Sequence, residues 1–325
     1  MKTPSVLVTG ATGFIGNVLC QRLVADGYTV RYAVRSSDHP ATALFSEMER
    51  CLIGEIGPDT DWSKALAGID TIVHLAARVH QMKDHAADPL SEFRYVNVAG
   101  TDRLAQMAVK AGVKRFVFAS SVKVHGEERD IRYRESDPLL PQDNYGISKM
   151  EAEQVLRQIE AESSLRVTII RSPLVYGPGV KANFLSMMKV IASGVPLPLA
   201  SVANKRSMIY VGNLVDAISL CVRHPTAAGR SYLVSDGDDV STPELIRRVS
   251  SALNRPARLY PFPTAFLRLI GRLLGKSPAI ERLTGTLQVD ISNIRTELGW
   301  RPPFTMQDGL SATAKWFICS SGRSS

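Results

Sequence analysis

The sequence has few cysteines and no long apolar run. Its four cysteines lie far apart, without a Cys-x-x-Cys pair: Cys20, Cys51, Cys221 and Cys319. This spacing argues against a zinc site or a disulfide framework and predicts a reducing, cytoplasmic location. Apolar stretches such as residues 214–222 are much shorter than the roughly 18 residues that cross a bilayer, so stable membrane insertion is not expected. A signal peptide is not expected either, because residues 6–16 already show the pattern of folded structure.

Acidic residues are in the minority. The chain has 39 Lys and Arg against 31 Asp and Glu, which gives a net charge of +8 and a pI near 9.4. This excess suits an anionic ligand or membrane surface, but the basic residues are too scattered to predict a nucleic acid partner. With 325 residues, of which 45% are hydrophobic and 22% charged, the composition excludes disorder and coiled coil. One large or two coupled domains are expected.

Short apolar runs alternate with helical patterns through the first half of the chain. The runs predict buried strands at residues 5–9, 29–34, 71–75, 115–119 and 167–170, with helices at 15–25, 98–111 and 148–162. Near-continuous apolar strands separated by helices predict an α/β fold with a doubly wound parallel sheet. In such a sheet, ligands bind beyond the carboxyl ends of the strands.

Frequent prolines change the pattern after residue 171. They indicate a smaller, irregular lobe that covers the ligand rather than a continued sheet. We therefore expect a dinucleotide-binding domain over residues 1–171, with returning segments near 205–230. Residues 172–325 are expected to form mainly a discontinuous substrate-binding lobe.

A glycine-rich turn joins the first strand to the first helix. In Gly10-Ala-Thr-Gly13-Phe-Ile-Gly16, the first glycine permits a tight turn and the second lets a pyrophosphate approach the backbone. The third glycine lets helix and strand pack closely, and the helix N-terminus offers free N–H groups to the phosphates. The position of the turn between strand and helix predicts a dinucleotide site.

Further motifs follow the glycine turn in a familiar order. They are His74-Leu-Ala-Ala77, Asn97-Val-Ala-Gly-Thr101, Ser120-Ser121, Tyr145-Gly-Ile-Ser-Lys149 and Arg171-Ser-Pro-Leu-Val-Tyr-Gly177. With these motifs, the sequence resembles the extended short-chain dehydrogenase/reductase family of nucleotide-sugar epimerases, dehydratases and ketoreductases. The resemblance covers nearly the whole chain and implies the Rossmann fold of that family.

The resemblance implies a nicotinamide coenzyme. It assigns the coenzyme contacts to Gly10, Thr12, Gly13, Phe14, Ile15, Gly16, Arg35, Leu75, Ala76, Ala77, Asn97, Tyr145, Lys149 and Pro173. NAD enzymes place an acid at the end of the second strand, but here the strand ends in Val34-Arg35-Ser36-Ser37, with no acid until Asp38. Because a guanidinium can hold the 2′-phosphate of NADP, we expect NADP, with NAD as the alternative.

Three residue types form the predicted catalytic group. Tyr145 and Lys149 lie four apart on one helical stretch, and Ser121 follows a predicted strand. A nearby ammonium favours the phenolate, which predicts Tyr145 as the acid/base. Dehydratases of the family carry Thr-Asp-Glu where this chain has Ser121-Val122-Lys123, so 4,6-dehydration is not expected. Lys123 and His125 stand where many relatives carry Thr and Tyr, and either residue would contact substrate or solvent.

The resemblance assigns the second lobe to a uridine diphosphate sugar. Asn183 matches the position that meets the nucleotide, and Arg206 matches the arginine that neutralises the diphosphate. Leu174 replaces an asparagine that often binds the diphosphate in relatives, so Arg282 becomes a weaker candidate for that task. Family members usually form homodimers through the helices after Asn97 and Tyr145.

A short basic amphipathic helix is predicted at residues 266–274. It carries Arg268 and Arg272, with Lys276 just beyond. Two interpretations remain: its apolar face packs on the lobe while its charges are solvated, or it lies on an anionic membrane. We expect the first.

Two reactions fit this chemistry, both moving hydride at C4 of the sugar. The stretch from residue 77 through residue 90 resembles bacterial O-antigen enzymes that reduce UDP-4-keto-6-deoxy-N-acetylglucosamine. Together with Arg35, this favours a 4-ketoreductase acting in surface polysaccharide synthesis. The alternative is a UDP-glucose or UDP-N-acetylglucosamine 4-epimerase that retains NAD. A non-catalytic NADP-sensing regulator is a third hypothesis, disfavoured because Tyr145 and Lys149 are both present.

Overall fold

A parallel sheet forms the centre of the computed structural model, which describes residues 3–36, 45, 48–79, 88–275 and 277–321. Asp38, His80 and Lys276, on which parts of the sequence analysis depended, lie outside these residues. Within the described chain the strands are β1 Ser5–Thr9, β2 Thr29–Val34, β3 Glu49–Leu52, β4 Thr71–His74, β5 Arg115–Ser121, β6 Arg166–Ser172, β7 Leu174–Tyr176, β8 Met208–Tyr210 and β9 Ser231–Leu233.

Helices cover the sheet and build the second lobe. They are α1 Phe14–Ala25, α2 Ser63–Leu66, α3 Pro89–Arg94, α4 Gly100–Lys110, α5 Asn144–Ala161, α6 Ala182–Ala192, α7 Val211–Arg223, α8 Thr242–Ala252, α9 Thr264–Leu273, α10 Ser277–Thr284, α11 Ser292–Leu298 and α12 Met306–Ser321. A π-helical turn, Tyr95–Ala99, joins α3 to α4. Among the described helices, none is long and apolar enough to cross a membrane.

The described sheet has the strand order β3-β2-β1-β4-β5-β6-β9, and every pair in it is parallel. This confirms the predicted doubly wound α/β fold. The direction of winding reverses between β1 and β4, which is where such sheets bind ligands. Strands β7 and β8 form a separate two-stranded parallel sheet.

Three apolar cores hold these layers together. Helices α1 and α7 pack on one face of the sheet through residues such as Leu19 and Leu214. On the other face, α4 and α5 contribute Leu104 and Leu156. A third core lies under α6, α8 and α12. Because β9 follows residue 230, the sheet takes its last strand from beyond the boundary expected at residue 171.

Candidate active site

The glycine turn follows β1 directly. Gly10 has a φ of +70°, and a Cβ there would lie 2.8 Å from the backbone nitrogen of Ala76. Gly13 donates its N–H to the Gly10 carbonyl at 3.0 Å and precedes the first residue of α1. At Gly16 a Cβ would lie 2.2 Å from the Gly10 oxygen. Each of the three glycines therefore occupies a position that a larger residue would disturb.

The turn leaves room for an anionic group. Gly13 is exposed, while Thr12, Phe14 and Ile15 are half-buried. Among the described residues, no side chain caps α1, so its first amides can be directed at a phosphate. These features fit the pyrophosphate of a dinucleotide. Of the other predicted contacts, Leu75, Ala76 and Ala77 lie half-buried just after β4, and Pro173 is buried.

A chain of hydrogen bonds, which sequence analysis missed, fixes the loops around this turn. Thr9 Oγ1 accepts from the Ala76 N–H at 3.2 Å and donates to His74 Nδ1 at 2.6 Å. His74 Nε2 donates to Thr101 Oγ1 at 3.0 Å, and Thr101 donates to the Asn97 carbonyl at 2.7 Å. Burial lowers the pKa of His74 to about 3, and Lys149 adds to the shift. The imidazole therefore stays neutral and serves as a connector.

Asn97 is buried within the π-helical turn. Its Oδ1 accepts from the Arg78 N–H at 2.7 Å, and its Nδ2 donates to the Arg78 carbonyl and to Ser148 Oγ. Ser148 in turn donates to the Tyr145 carbonyl at 2.8 Å. Both hydrogens of the Asn97 amide are therefore engaged within the chain. These contacts connect the loop after β4 to the helix that carries Tyr145 and Lys149, and the coenzyme contact that the resemblance implies for Asn97 stays a prediction.

An acid does stand near the end of β2. Glu55 Oε2 lies 3.4 Å from Arg35 Nη1, and the Arg35 side chain is 69% exposed. A carboxylate was expected only in the residues directly after β2, whereas the parallel pairing of β2 and β3 brings in Glu55 from the loop after β3. This edge therefore offers a carboxylate for a ribose hydroxyl and a guanidinium for a 2′-phosphate.

The predicted catalytic residues lie on β5 and on the helix that begins beside its carboxyl end. Ser121 ends that strand and is half-buried, and its Oγ accepts from the Lys123 N–H at 3.3 Å. Helix α5 begins beside this turn, since a Cβ on Gly146 would lie 2.9 Å from the Lys123 carbonyl. Lys149, one turn further along the helix, is buried with its Nζ 3.8 Å from the centre of the Phe118 ring.

The charge states of this pair differ from the expectation. Burial raises the pKa of Tyr145 to about 12, and the Asp143 carboxylate adds to the shift. Burial lowers the pKa of Lys149 to about 7, although Glu153 opposes this. Without the coenzyme, desolvation dominates the pKa of both groups, so the expected phenolate stays a prediction for the complex with a nicotinamide ring. At neutral pH the phenol holds its proton.

The Lys149 pKa predicts a pH-dependent stability. In the folded chain this lysine loses its proton near pH 7, whereas an unfolded lysine keeps it up to about pH 10.5. Between these values the unfolded state binds more protons, so stability rises with pH. From about pH 7 to about pH 9, coenzyme-free wild type should gain roughly 2 kcal/mol of unfolding free energy relative to Lys149→Met.

Urea unfolding at both pH values measures this difference, with Lys110→Met as the exposed control. If the difference in unfolding free energy between wild type and Lys149→Met is the same at both pH values, Lys149 keeps its charge in the folded chain.

A buried ion pair lies behind the catalytic edge. Arg171 Nη2 lies 2.7 Å from Glu153 Oε2, and Ser120 Oγ donates to Glu153 Oε1 at 2.5 Å. The buried His125 accepts from Arg171 Nη1 at 3.0 Å and donates to the Pro138 carbonyl. His125 therefore does not face solvent, so that alternative is wrong, and contact with substrate stays a prediction. The network ties α5 to β5 and β6.

Breaking this pair should be costly. Arg171→Met leaves the Glu153 carboxylate buried without its counter-ion and should lower the unfolding free energy by about 3–5 kcal/mol. The double variant Arg171→Met/Glu153→Met should regain most of that loss, because no uncompensated charge remains. Urea unfolding of the two variants provides the measurement. If the single and the double variant lose the same unfolding free energy, lost packing rather than the unpaired charge causes the destabilisation.

A charged cluster lies at the start of α5. Lys123 Nζ pairs with Glu127 at 2.7 Å and with Asp143, which caps the start of α5. Burial lowers the pKa of Arg206. The nearby negative charge of Glu127 raises this pKa, and the positive charge of Arg282 lowers it further. Lys123, Arg206 and Arg282 therefore lie close to one another.

Arg206 is half-buried and donates to the Gly285 carbonyl at 3.1 Å, whereas Arg282 is exposed. Asn183 is exposed in the first turn of α6, and Leu174 is exposed on β7. Asn183, Leu174 and Arg282 are therefore accessible to a bound molecule, whereas Arg206 is partly enclosed. Their predicted roles remain predictions.

Together, the parallel sheet, the glycine turn at its switch point and the Tyr-x-x-x-Lys helix beside it define a dinucleotide-dependent enzyme of the Rossmann class. The model of the NAD dependent epimerase/dehydratase family matches residues 6–235. The chain belongs to this family, which confirms both the resemblance seen in the sequence and the expectation of an enzyme.

Similar proteins span the full chain. "UDP-glucose 4-epimerase" of Vibrio cholerae is 46% identical over 323 residues, covering 98% of this chain and 97% of that protein. "N-acetyl-alpha-D-glucosaminyl-diphospho-ditrans,octacis-undecaprenol 4-epimerase" of Escherichia coli O157:H7 is 30% identical, covering 96% and 95%. The structure of MoeE5 in complex with UDP-glucose and NAD has a TM-score of 0.77 at 25% identity, covering 98% and 99%.

Proposed function

We propose that this protein is a 4-epimerase of a UDP-linked hexose that retains NAD during turnover. The observation that carries the proposal is the full-length similarity to a UDP-glucose 4-epimerase at 46% identity. The geometry supports it, because Tyr145 and Lys149 stand at the same sheet edge as the glycine turn. MoeE5, whose structure contains UDP-glucose and NAD, supports the choice of substrate and coenzyme.

The residues that would hold the coenzyme are those around the glycine turn and the β2 edge. The pyrophosphate would lie on the first amides of α1, and Glu55 would accept a ribose hydroxyl. When bound, NAD supplies the group that takes up and returns hydride, and its ring charge favours a phenolate beside it. The Thr9–His74–Thr101 chain keeps the surrounding loops in place.

Tyr145 would move the proton at the sugar oxygen. Its pKa of about 12 keeps the phenol protonated at neutral pH, so in this conformation it is set to donate a proton to a carbonyl oxygen. To accept the hydroxyl proton in the opposite direction, it needs a positive charge nearby, which Lys149 supplies when protonated. Ser121 would hydrogen-bond to the same oxygen and orient C4.

The diphosphate and nucleotide would lie against the second lobe. Arg206 and Arg282 would neutralise the phosphates, and Asn183 would meet the nucleotide. Lys123 is held by two carboxylates at the start of α5, where it would face the sugar. We also propose a homodimer formed through α4 and α5, to be measured by sedimentation velocity.

One observation favours a second candidate, the 4-ketoreductase. Arg35 places an exposed guanidinium at the end of β2, where it would hold the 2′-phosphate of NADP. A reductase consumes its coenzyme, so it would bind NADPH from solution rather than retain NAD. This reaction would use the same tyrosine, lysine and serine.

Extraction of the bound nucleotide separates the two candidates. The epimerase predicts that denatured protein releases NAD, and that undenatured protein interconverts UDP-glucose and UDP-galactose without added coenzyme. The reductase predicts no retained NAD, and NADPH oxidation with a UDP-4-keto-6-deoxy sugar. Coenzyme binding without turnover of either sugar would contradict both candidates and support the sensing regulator.

A further inference from the structure

Helix α9 presents an apolar surface to solvent. Leu267 and Gly271, four residues apart, face the lobe and are buried. Phe266, Leu269, Ile270 and Leu273 recur at spacings of three and four residues and are exposed by 57%, 51%, 43% and 77%. Leu274, which caps the helix, is 65% exposed. The expectation that this apolar face packs on the lobe therefore holds for Leu267 and Gly271, whereas the larger part of the face is exposed.

Such a face needs an explanation. Single exposed apolar residues are normal on protein surfaces, whereas a contiguous row of large ones marks an interaction surface. The five side chains occupy consecutive turns of one helix. We call this row, from Phe266 to Leu274, the α9 face.

The charges around the α9 face indicate what it meets. Between residues 255 and 280 the sequence has five basic residues and no acidic one: Arg255, Arg258, Arg268, Arg272 and Lys276. In the described part of that segment, Arg272 is exposed on the same helix as the apolar row. A helix with a large apolar face and flanking arginines, without acidic residues, is typical of peripheral binding to anionic lipid.

We propose that the α9 face docks this protein reversibly onto the surface of an anionic phospholipid membrane. The apolar side chains would enter the boundary between headgroups and acyl chains, and the arginines would contact lipid phosphates. Because Arg268 Nη2 lies 3.4 Å from Glu128, and Glu128 faces Arg206, docking would bring the rim of the charged cluster close to the lipid. The proposal does not depend on which sugar reaction the protein catalyses.

Vesicle flotation of the purified full chain tests this proposal. We expect wild type to float with vesicles of equal parts phosphatidylcholine and phosphatidylglycerol, and to remain behind with pure phosphatidylcholine. Leu273→Glu and Arg272→Glu should each lower the bound fraction at least about tenfold. The controls, Ile318→Glu on α12 and Arg247→Glu on α8, change an exposed aliphatic residue and an exposed arginine outside the α9 face and should bind like wild type.

Sedimentation velocity without lipid and thermal unfolding complete the test. If the two α9 variants unfold at the wild-type temperature, their lost flotation reflects lost docking. If Leu273→Glu is unfolded, the result for Arg272→Glu decides the test. Absent flotation of wild type, or equal losses in the controls, would overturn the proposal. A dimer that Leu273→Glu dissociates, with no flotation of wild type, would assign the face to a second copy of this chain instead.

Discussion

Tyr145→Phe is expected to lower kcat by about 10²–10⁴-fold while leaving the unfolding temperature and coenzyme binding near wild-type values. The substitution removes one oxygen from a half-buried ring that packs edge-on against Phe93 at 6.4 Å. The ring contact survives, so the loss should reflect proton transfer alone. Steady-state kinetics with UDP-glucose and calorimetric coenzyme titration give the two readouts.

Tyr95→Phe is the matched control for that substitution. Tyr95 belongs to the neighbouring π-helical turn, and its side chain is 51% exposed. It should keep kcat within about twofold of wild type, because substitutions of exposed side chains usually have small effects. A Tyr145→Phe variant with undiminished turnover would remove Tyr145 from the reaction.

Gly10→Ala is expected to weaken coenzyme binding by at least about 10²-fold. The new Cβ would stand 2.8 Å from the Ala76 nitrogen and 3.0 Å from its Cα, so the loop after β4 must move. The positive φ adds about 1–2 kcal/mol of backbone strain. Thr9 Oγ1, which accepts the same Ala76 N–H, would lose its alignment with His74.

Gly112→Ala separates the two causes. Gly112 has a φ of +75°, close to that of Gly10, but a Cβ there would meet nothing within 4 Å. It should lower the unfolding free energy by about 1–2 kcal/mol and leave the coenzyme Kd unchanged. Equal coenzyme Kd values for the two alanine variants would show that the contact with Ala76 does not shape the site.

The central strands could be predicted from sequence because buried parallel strands are continuous apolar runs. The predicted strand at residues 5–9 matches β1, and β5 and β6 differ from prediction only at their ends. Strand β3 was missed because Glu49-Arg-Cys-Leu52 lies at the sheet edge and carries charged residues. The three-residue β9 was missed because it is too short to show a pattern.

Only those parts of the site that are encoded in short local motifs could be predicted from the sequence. The glycine turn and the Tyr145–Lys149 spacing are local, and the structure has them as the sequence suggested. Partners about 20 residues away in sequence were not visible: Glu55 beside Arg35, and Asp143 beside Lys123.

Burial could not be estimated from sequence either. The pKa values of Tyr145 and Lys149 depend on how deeply each group is enclosed, which no local pattern encodes. The α9 face shows the same limit, because an amphipathic pattern predicts an apolar stripe without saying what covers it.

The account depends most on hydride leaving and returning to one sugar carbon inside the protein. UDP-glucose carrying deuterium at C4 tests this directly when the product is analysed by mass spectrometry and NMR. We predict UDP-galactose with the label still at C4, formed without added coenzyme and without exchange with solvent. Product that has lost the label to water or to an added coenzyme pool would contradict the account.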